Sequence, residues 1–269
     1  MVMVQASAPA LGMQEEALAQ AIAAAWDSGR KIPLAVEPTT PDSRAAAYRI
    51  QDRIFAIHGR PGAGWKVGAA IEAVQRLEGH DGPVQGRILA DRVYGNGSKA
   101  PGRLLDGCKV ECEFGFRVAR PLAGLRSGQN KQIAEALVFH PAVELSDTRF
   151  TAERPRKFTT WDAIADCGGS GGFVFGDGVE AWHGFDFNAL PIDARIDNGN
   201  AIEVYRGGFR RDPFEIAVEL IEHLTGRGIA LGVGDYLSTG SLTVPTALRR
   251  GQTFVAKIGD FPRISISLD

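Results

Sequence analysis

The residues best placed to do chemistry are Glu111, Glu113 and Glu144. Glu111 and Glu113 flank Cys112 in the run Val110–Val118, which is rich in strand-forming residues. A strand alternates its side chains, so both carboxylates fall on one face and Cys112 on the other. Two like charges about 7 Å apart on an otherwise apolar strand repel each other and resist burial. Two readings follow. The pair is either the solvated face of an antiparallel strand, or it is compensated by a cation. Glu144 ends the apolar run Ala136–Val143, whose burial would carry it towards a core. Three carboxylates suit a hard ion such as Mg²⁺ or Mn²⁺ and leave coordination positions for substrate and water.

Other segments bear on the choice. Lys66 stands between glycines in Gly64-Trp65-Lys66-Val67-Gly68. There it is either an exposed turn lysine or a partly desolvated acid, base or carboxylate clamp. The run from Gly168 through Ser170 and Gly171 to Gly172 has backbone amides that can face an anion. It lacks the Gly-Lys-Ser/Thr of a Walker loop and the spacing of a dinucleotide fingerprint. Ser238, Thr239, Ser241 and Thr243 supply hydroxyls in a glycine-bearing loop. Cys108 and Cys112 have no second pair for zinc. The five histidines show no metalloprotease spacing, and no Gly-x-Ser-x-Gly elbow occurs.

These groups need elements to hold them. Residues 14–27 are rich in Ala, Leu and Glu and read as a helix. A second helix is expected after Thr40 as cap and Pro41 as first residue, with Ala47, Ile50 and Ile54 on one face and Gly59 as the stop. Beyond residue 62 the sequence reads mainly as strands: 110–118, 136–144, 173–175, and a hairpin over 192–206 turning at Asn198-Gly199. One later helix has Asp212 as cap, Pro213 first, Glu215 completing a capping box, and Ile216, Leu220 and Leu224 as its stripe. Helices first and strands after argue an α+β fold, with a helical region over 1–62 and a β-rich catalytic domain over 63–269.

The chain has 269 residues, 44% hydrophobic and 23% charged, so it can bury a sizeable core. A formal charge of −2 lacks the basic surplus of a phosphate-neutralising protein, so no nucleic-acid partner is expected. No apolar run is long enough to span a membrane, and Met1–Met13 does not read as a signal peptide. Three cysteines suit a reducing compartment, so cytoplasm is the expected location.

Taken in order, the motifs resemble those of the 2-oxopent-4-enoate hydratase and 4-oxalocrotonate decarboxylase group of the fumarylacetoacetate hydrolase superfamily. Gly64–Gly68 is similar to its G-[YW]-K-[VI]-G, and Val110–Phe116 to its V-E-x-E-[IL]-[AG]-F. Pro141–Arg149 is similar to P-A-[LIV]-E-[LIV]-x-D-[ST]-R, Asp162–Asp166 to D-x-[IV]-A-D, and Leu237–Thr243 to [LV]-[ST]-x-G-S-[LF]-[TI]. Two positions depart: Val84 follows Pro83 where members often carry Asp, and Cys167 stands where they often carry Asn.

The resemblance implies a helical N-terminal region followed by a mixed β-sandwich roll, usually in a homo-oligomer, with or without a complex with a pathway enzyme. It implies Glu111, Glu113 and Glu144 as ligands of Mg²⁺ or Mn²⁺, and Lys66, Asp162, Ser170, Gly171, Ser241 and Thr243 near a small 2-oxo acid or dienol acid, with Lys66 expected to handle a proton or bind the substrate carboxylate. The expected reaction is hydration of a 2-hydroxy-2,4-dienoate to a 4-hydroxy-2-oxo acid. Decarboxylation of a vinylogous 2-oxo diacid shares the same motifs. An acylpyruvate C–C hydrolase needs a water-activating pair, for which His80 and Glu78, two residues apart, are the local candidates. A non-catalytic partner subunit and a structural β module are the remaining alternatives.

Overall fold

In a computed structural model of the chain, residues 11–34, 41–122, 128–153 and 156–269 are described. The elements are, in order, α1 (Met13–Ser28), α2 (Arg44–His58), β1 (Gly62–Gly68), α3 (Glu72–Glu78), β2 (Val84–Leu89), β3 (Lys99–Ala100), α4 (Gly102–Leu105), β4 (Lys109–Val118), α5 (Asn130–Glu135), β5 (Leu137–Ser146), α6 (Thr160–Ala165), β6 (Ser170–Phe175), β7 (Ile192–Ile196), α7 (Pro213–Gly226), β8 (Tyr236–Ser241), β9 (Thr246–Ala247), β10 (Thr253–Ile258) and β11 (Ile264–Leu268).

Helix α2 begins at a different cap from the expected one. Ser43 holds the N-cap, its hydroxyl accepting from Ala46 N at 3.2 Å, while Thr40 lies outside the described residues. Arg44, the first residue of the helix, ties this start to the segment before β2, donating to Pro83 O at 2.7 Å and pairing with Asp81 at 3.2 Å. The apolar stripe is as read: Ala47, Ile50 and Ile54 are fully buried, and Gly59 ends the helix at φ 60°. These side chains pack with α1 and with Val84, Leu89, Phe150 and Ala163–Ala165, all beyond residue 63.

The larger sheet runs β2-β1-β8-β4-β5-β6, with β9 on β4; the smaller runs β3-β11-β10-β7. Helix α7 packs its buried Ile216, Leu220 and Leu224 into the apolar cluster shared by the two sheets. Asp212 caps α7 by accepting from Phe214 N at 2.8 Å. Glu215 pairs with Arg211 at 3.3 Å rather than closing a capping box.

The expected hairpin over 192–206 is only half present. Its first arm is β7, but β7 pairs with β10. Its second arm is held by isolated bonds, Ile202 N to Ala194 O at 2.8 Å and a bridge from Val204 to Thr243. The positive φ falls on Asp197 (50°), so Asn198-Gly199 does not form the tight turn its composition favours.

Two glycines admit the close approaches that bring β1 and β2 to the site. A Cβ on Gly64, which sits at φ 145°, would lie 2.0 Å from Tyr236 O of β8. A Cβ on Gly86 would lie 1.9 Å from Cys167 O. Any side chain at either position would push the strand off its neighbour.

Candidate metal and substrate site

Strands β4 and β5 are antiparallel, with Glu111 directly opposite Glu144 and Glu113 opposite Ala142. Alternation along β4 puts Glu111 and Glu113 on one face; Val110, Cys112, Phe114 and Phe116 on the other are buried in the core. The apolar face thus anchors the strand that carries the acids. The three carboxylates are buried, and one oxygen of each lies within 4.8 Å of the others. The solvated-strand reading therefore does not describe this pair.

Lys66 is brought in by β1, which is antiparallel to β2 and parallel to β8, and pairs there with Gly86 and Ser238. Its Nζ stands 3.2 Å from Glu144 Oε1. Gly168, at φ 62°, lies against its stem: a Cβ there would be 3.4 Å from Lys66 Cδ. Hydroxyls fix the other two acids, Ser146 donating to Glu111 and Ser238 to Glu113.

One ammonium cannot balance three buried carboxylates. Burial pushes the Glu113 carboxyl up to about 7; Lys66 pulls against this and Glu111 adds to it. Burial likewise raises Glu144 well above the usual range, opposed by Lys66. Burial pulls the Lys66 ammonium down, but the three acids outweigh it and its pKa stands above the ordinary value. Glu144 Oε1 accepts no properly directed hydrogen bond although it is buried. The donors are hard oxygens, one is left unsatisfied, and the cluster carries surplus negative charge, so the residues fit a divalent cation.

The cluster opens into a cavity of about 510 Å³. Of the residues singled out from sequence, Lys66, Glu111, Glu113, Glu144 and Ser241 line it. Asp162, Ser170, Gly171 and Thr243 do not, because their polar groups serve the scaffold. Asp162 closes a capping box with Thr159 and pairs with Arg156 at 2.7 Å. Ser170 O accepts from Arg149 at 2.7 Å. Gly171 lets β6 approach β5, where a Cβ would lie 2.4 Å from Leu145 O. Thr243 Oγ1 accepts from Cys112 N at 3.0 Å. Gly168 and Gly169 reach the cavity, but as a 3₁₀ turn leading into β6.

The cavity also takes in the Glu78 and His80 pair, together with residues that the sequence gave no reason to combine with it. Glu78 ends α3, and Gly79 then reverses the chain at φ 77°, bringing His80 Nε2 to 3.7 Å from Glu78 Oε2. Partial burial raises the Glu78 carboxyl and lowers the His80 imidazole. A glycine between the two is the signal in the sequence: it turns a separation of two into a facing pair. Tyr205, Phe209, Arg210 and Arg211, from the segment before α7, form another part of the wall. The three cysteines are free and buried; burial pushes Cys112 up to about 12, so it is not a thiolate nucleophile.

Fold and site together define a class: a two-sheet roll with helices at its N-terminal side and a buried carboxylate triad on adjacent central strands, open to a cavity of ligand size. No protein-family model matches the chain. It is 31% identical over 260 residues to 2-keto-4-pentenoate hydratase 1 of Dechloromonas aromatica, covering 94% of this chain and 96% of that one. It is 27% identical over 261 residues to a 4-oxalocrotonate decarboxylase of a Pseudomonas species, covering 95% and 98%. The structure of 4-oxalocrotonate decarboxylase from Pseudomonas putida G7, complexed with magnesium and adipate, superposes with a TM-score of 0.82 at 22% identity, covering 97% of this chain and 99% of that one. The chain belongs to the 2-keto-4-pentenoate hydratase family. Among the described residues, no helix is long and apolar enough to cross a membrane.

Proposed function

We propose that this chain is a divalent-metal-dependent hydratase that converts a 2-hydroxy-2,4-dienoate to a 4-hydroxy-2-oxo acid. The observation that carries this reading is the convergence of Glu111, Glu113, Glu144 and Lys66 on one cavity. Glu111, Glu113 and Glu144 would hold Mg²⁺ or Mn²⁺. When bound, that ion supplies Lewis-acid stabilisation for negative charge on the substrate's C1 and C2 oxygens.

The protein's own contribution is positioning and proton control. Ser146 and Ser238 hold two of the carboxylates in fixed rotamers, so little reorganisation is needed when charge develops. The C2 hydroxyl loses its proton and C5 gains one, giving the 2-oxo-3-enoate. Water then adds its oxygen at C4 and a proton at C3. The Lys66 ammonium, held charged by its acidic neighbours, is the group that donates to carbon or steadies the substrate carboxylate.

Two other outcomes use the same cavity. The similarity to a decarboxylase over most of the chain supports loss of CO₂ from a vinylogous 2-oxo diacid. The facing Glu78 and His80 support water activation for acylpyruvate C–C hydrolysis. A metal-supplemented screen over 2-hydroxydienoates, vinylogous 2-oxo diacids and acylpyruvates, read by product mass, separates them: hydration adds one water, decarboxylation loses CO₂, and hydrolysis gives two acids. A screen with no turnover in any class refutes the enzymatic reading.

As further parts of this proposal, the chain acts as a homo-oligomer in the cytoplasm, and residues 63–269 carry the catalytic unit with 1–62 as its helical support.

A further inference from the structure

The positive charges on the cavity wall differ in how they are compensated. Lys66 is paired with Glu144 at 3.2 Å. Arg211 pairs with Glu215 at 3.3 Å and also with Glu219. Lys109 is exposed, so its charge is not held in a desolvated wall. Arg210 is half-buried and has no carboxylate partner within ion-pair distance among the described residues. Its Nη2 donates to Phe187 O at 2.6 Å, its Nε is buried without a partner, and its guanidinium carbon lies 5.7 Å from the Phe114 ring centroid. Burial and the repulsion of Arg206 weaken its hold on the proton, against a smaller pull from Asp186.

Arginine is a fork of donors suited to a carboxylate, and in a water-poor wall it gains most from an anion. Phe114, Pro213, Ile216 and Leu242 give the same cavity apolar lining. A volume of about 510 Å³ lies in the range that holds drug-sized ligands, well beyond the need of a five-carbon acid. One cavity is thus lined by the acidic, metal-fitting cluster, by apolar side chains and by an uncompensated cation.

Resting on the functional reading above, we infer that Arg210 receives a second carboxylate at the far end of the substrate, so that the site selects 2-hydroxydienoic or 2-oxo diacids over the five-carbon monoacid. The apolar stretch then accommodates the carbon chain between the two charged ends.

The test compares kcat/KM for 2-hydroxyhepta-2,4-diene-1,7-dioate and 2-hydroxypenta-2,4-dienoate in the Mg²⁺-supplemented enzyme, wild type against Arg210→Leu and Arg210→Lys. Loss of a charge-assisted hydrogen bond corresponds to about 10- to 100-fold. The Arg210→Leu variant is expected to lose that factor on the diacid while keeping monoacid turnover, with Arg210→Lys intermediate and Lys99→Gln, an exposed control that does not line the cavity, unchanged. An equal effect on both substrates, or a wild type with no diacid preference, overturns the assignment.

Calorimetric binding of adipate against hexanoate measures the same subsite without turnover. Adipate binding that falls at least 10-fold in Arg210→Lys, while hexanoate binding holds, supports the subsite even where Arg210→Leu misfolds. Adipate binding indifferent to residue 210 overturns it. Absence of turnover on both dienoates, with Arg210-dependent adipate binding intact, refutes the hydratase reading and leaves the diacid subsite standing.

Discussion

The metal-free triad should make the protein less stable as pH rises, and Glu113 gives the size of the effect. Its pKa rises from 4.5 to about 7 on folding, chiefly through burial. A raised folded-state pKa means that the native state binds the proton more tightly than the unfolded chain. The associated stability is fully present below about pH 4.5 and is lost as pH climbs through about 7. The difference corresponds to about 3 kcal/mol, shared in practice with Glu144 and Lys66, to which the group is coupled. Urea unfolding in excess EDTA at about pH 5 and about pH 8 reads this directly, and Glu113→Gln isolates it from other titrating groups. The amide keeps an acceptor for Ser238 but cannot ionise. The variant should match the wild type at the acid end and exceed it by about 2–3 kcal/mol at the alkaline end. Saturating Mg²⁺ should remove the wild-type loss, and it should stabilise the variant less. Parallel pH profiles for the two proteins in EDTA, or a Mg²⁺ increment that does not grow with pH, would refute the account of a charge-frustrated cation site.

Other substitutions probe the remaining roles. Lys66→Ala should lower kcat by about 10²–10⁴-fold while calorimetry still detects Mg²⁺ binding; normal turnover would remove Lys66 from proton handling. Asp162→Ala should cost about 1–2 kcal/mol in urea unfolding, because it loses the capping box and the Arg156 pair, yet leave KM unchanged. A raised KM with unchanged stability would return Asp162 to the substrate. Gly86→Ala drives a Cβ to 1.9 Å from Cys167 O and should destabilise by at least about 3 kcal/mol, measured the same way.

The acids were legible in the sequence because strand alternation is a strict geometric rule. Once Val110–Val118 is a strand, Glu111 and Glu113 share a face, and the buried run before Glu144 carries it inward. What the sequence lacks is the register that sets Glu144 opposite Glu111, which the whole β4–β5 ladder fixes. Asp162 shows a motif residue with a structural part to play. Motif position suggested a ligand, whereas Thr159-x-x-Asp162 is itself a capping-box signal, and the box is what forms. At α2 two good caps, Thr40 and Ser43, compete within one segment, and the choice is made by Arg44 reaching Pro83 and Asp81 far along the chain. The Asn198-Gly199 turn does not form because the positive φ falls one residue earlier, on Asp197, and the second arm meets the free edge of β7 through Ile202 N to Ala194 O at 2.8 Å. Glu78 and His80, two apart in the sequence, come to face each other because Gly79 breaks the helix between them.

The triad's placement also explains how a fold tolerates three buried acids. The strands that bear them carry on their opposite faces Phe114, Phe116, Phe139, Val143 and Leu145, each no more than 1% exposed. Burying one such side chain is worth about 1.5–3 kcal/mol, so a few of them outweigh the electrostatic penalty estimated above for Glu113. Because both faces belong to the same strands, the acids cannot separate without drawing those aromatic and aliphatic side chains out of the core. Repulsion therefore stays at the site and is relieved by proton uptake or by a cation rather than by unfolding. The same argument sets a limit: a core truncation such as Phe116→Ala, costing about 3–5 kcal/mol, should impair Mg²⁺ binding as well as stability, although Phe116 points away from the cluster. Unchanged Mg²⁺ affinity in a folded Phe116→Ala protein would mean that the carboxylates are held by their own hydrogen bonds and not by the packing behind them.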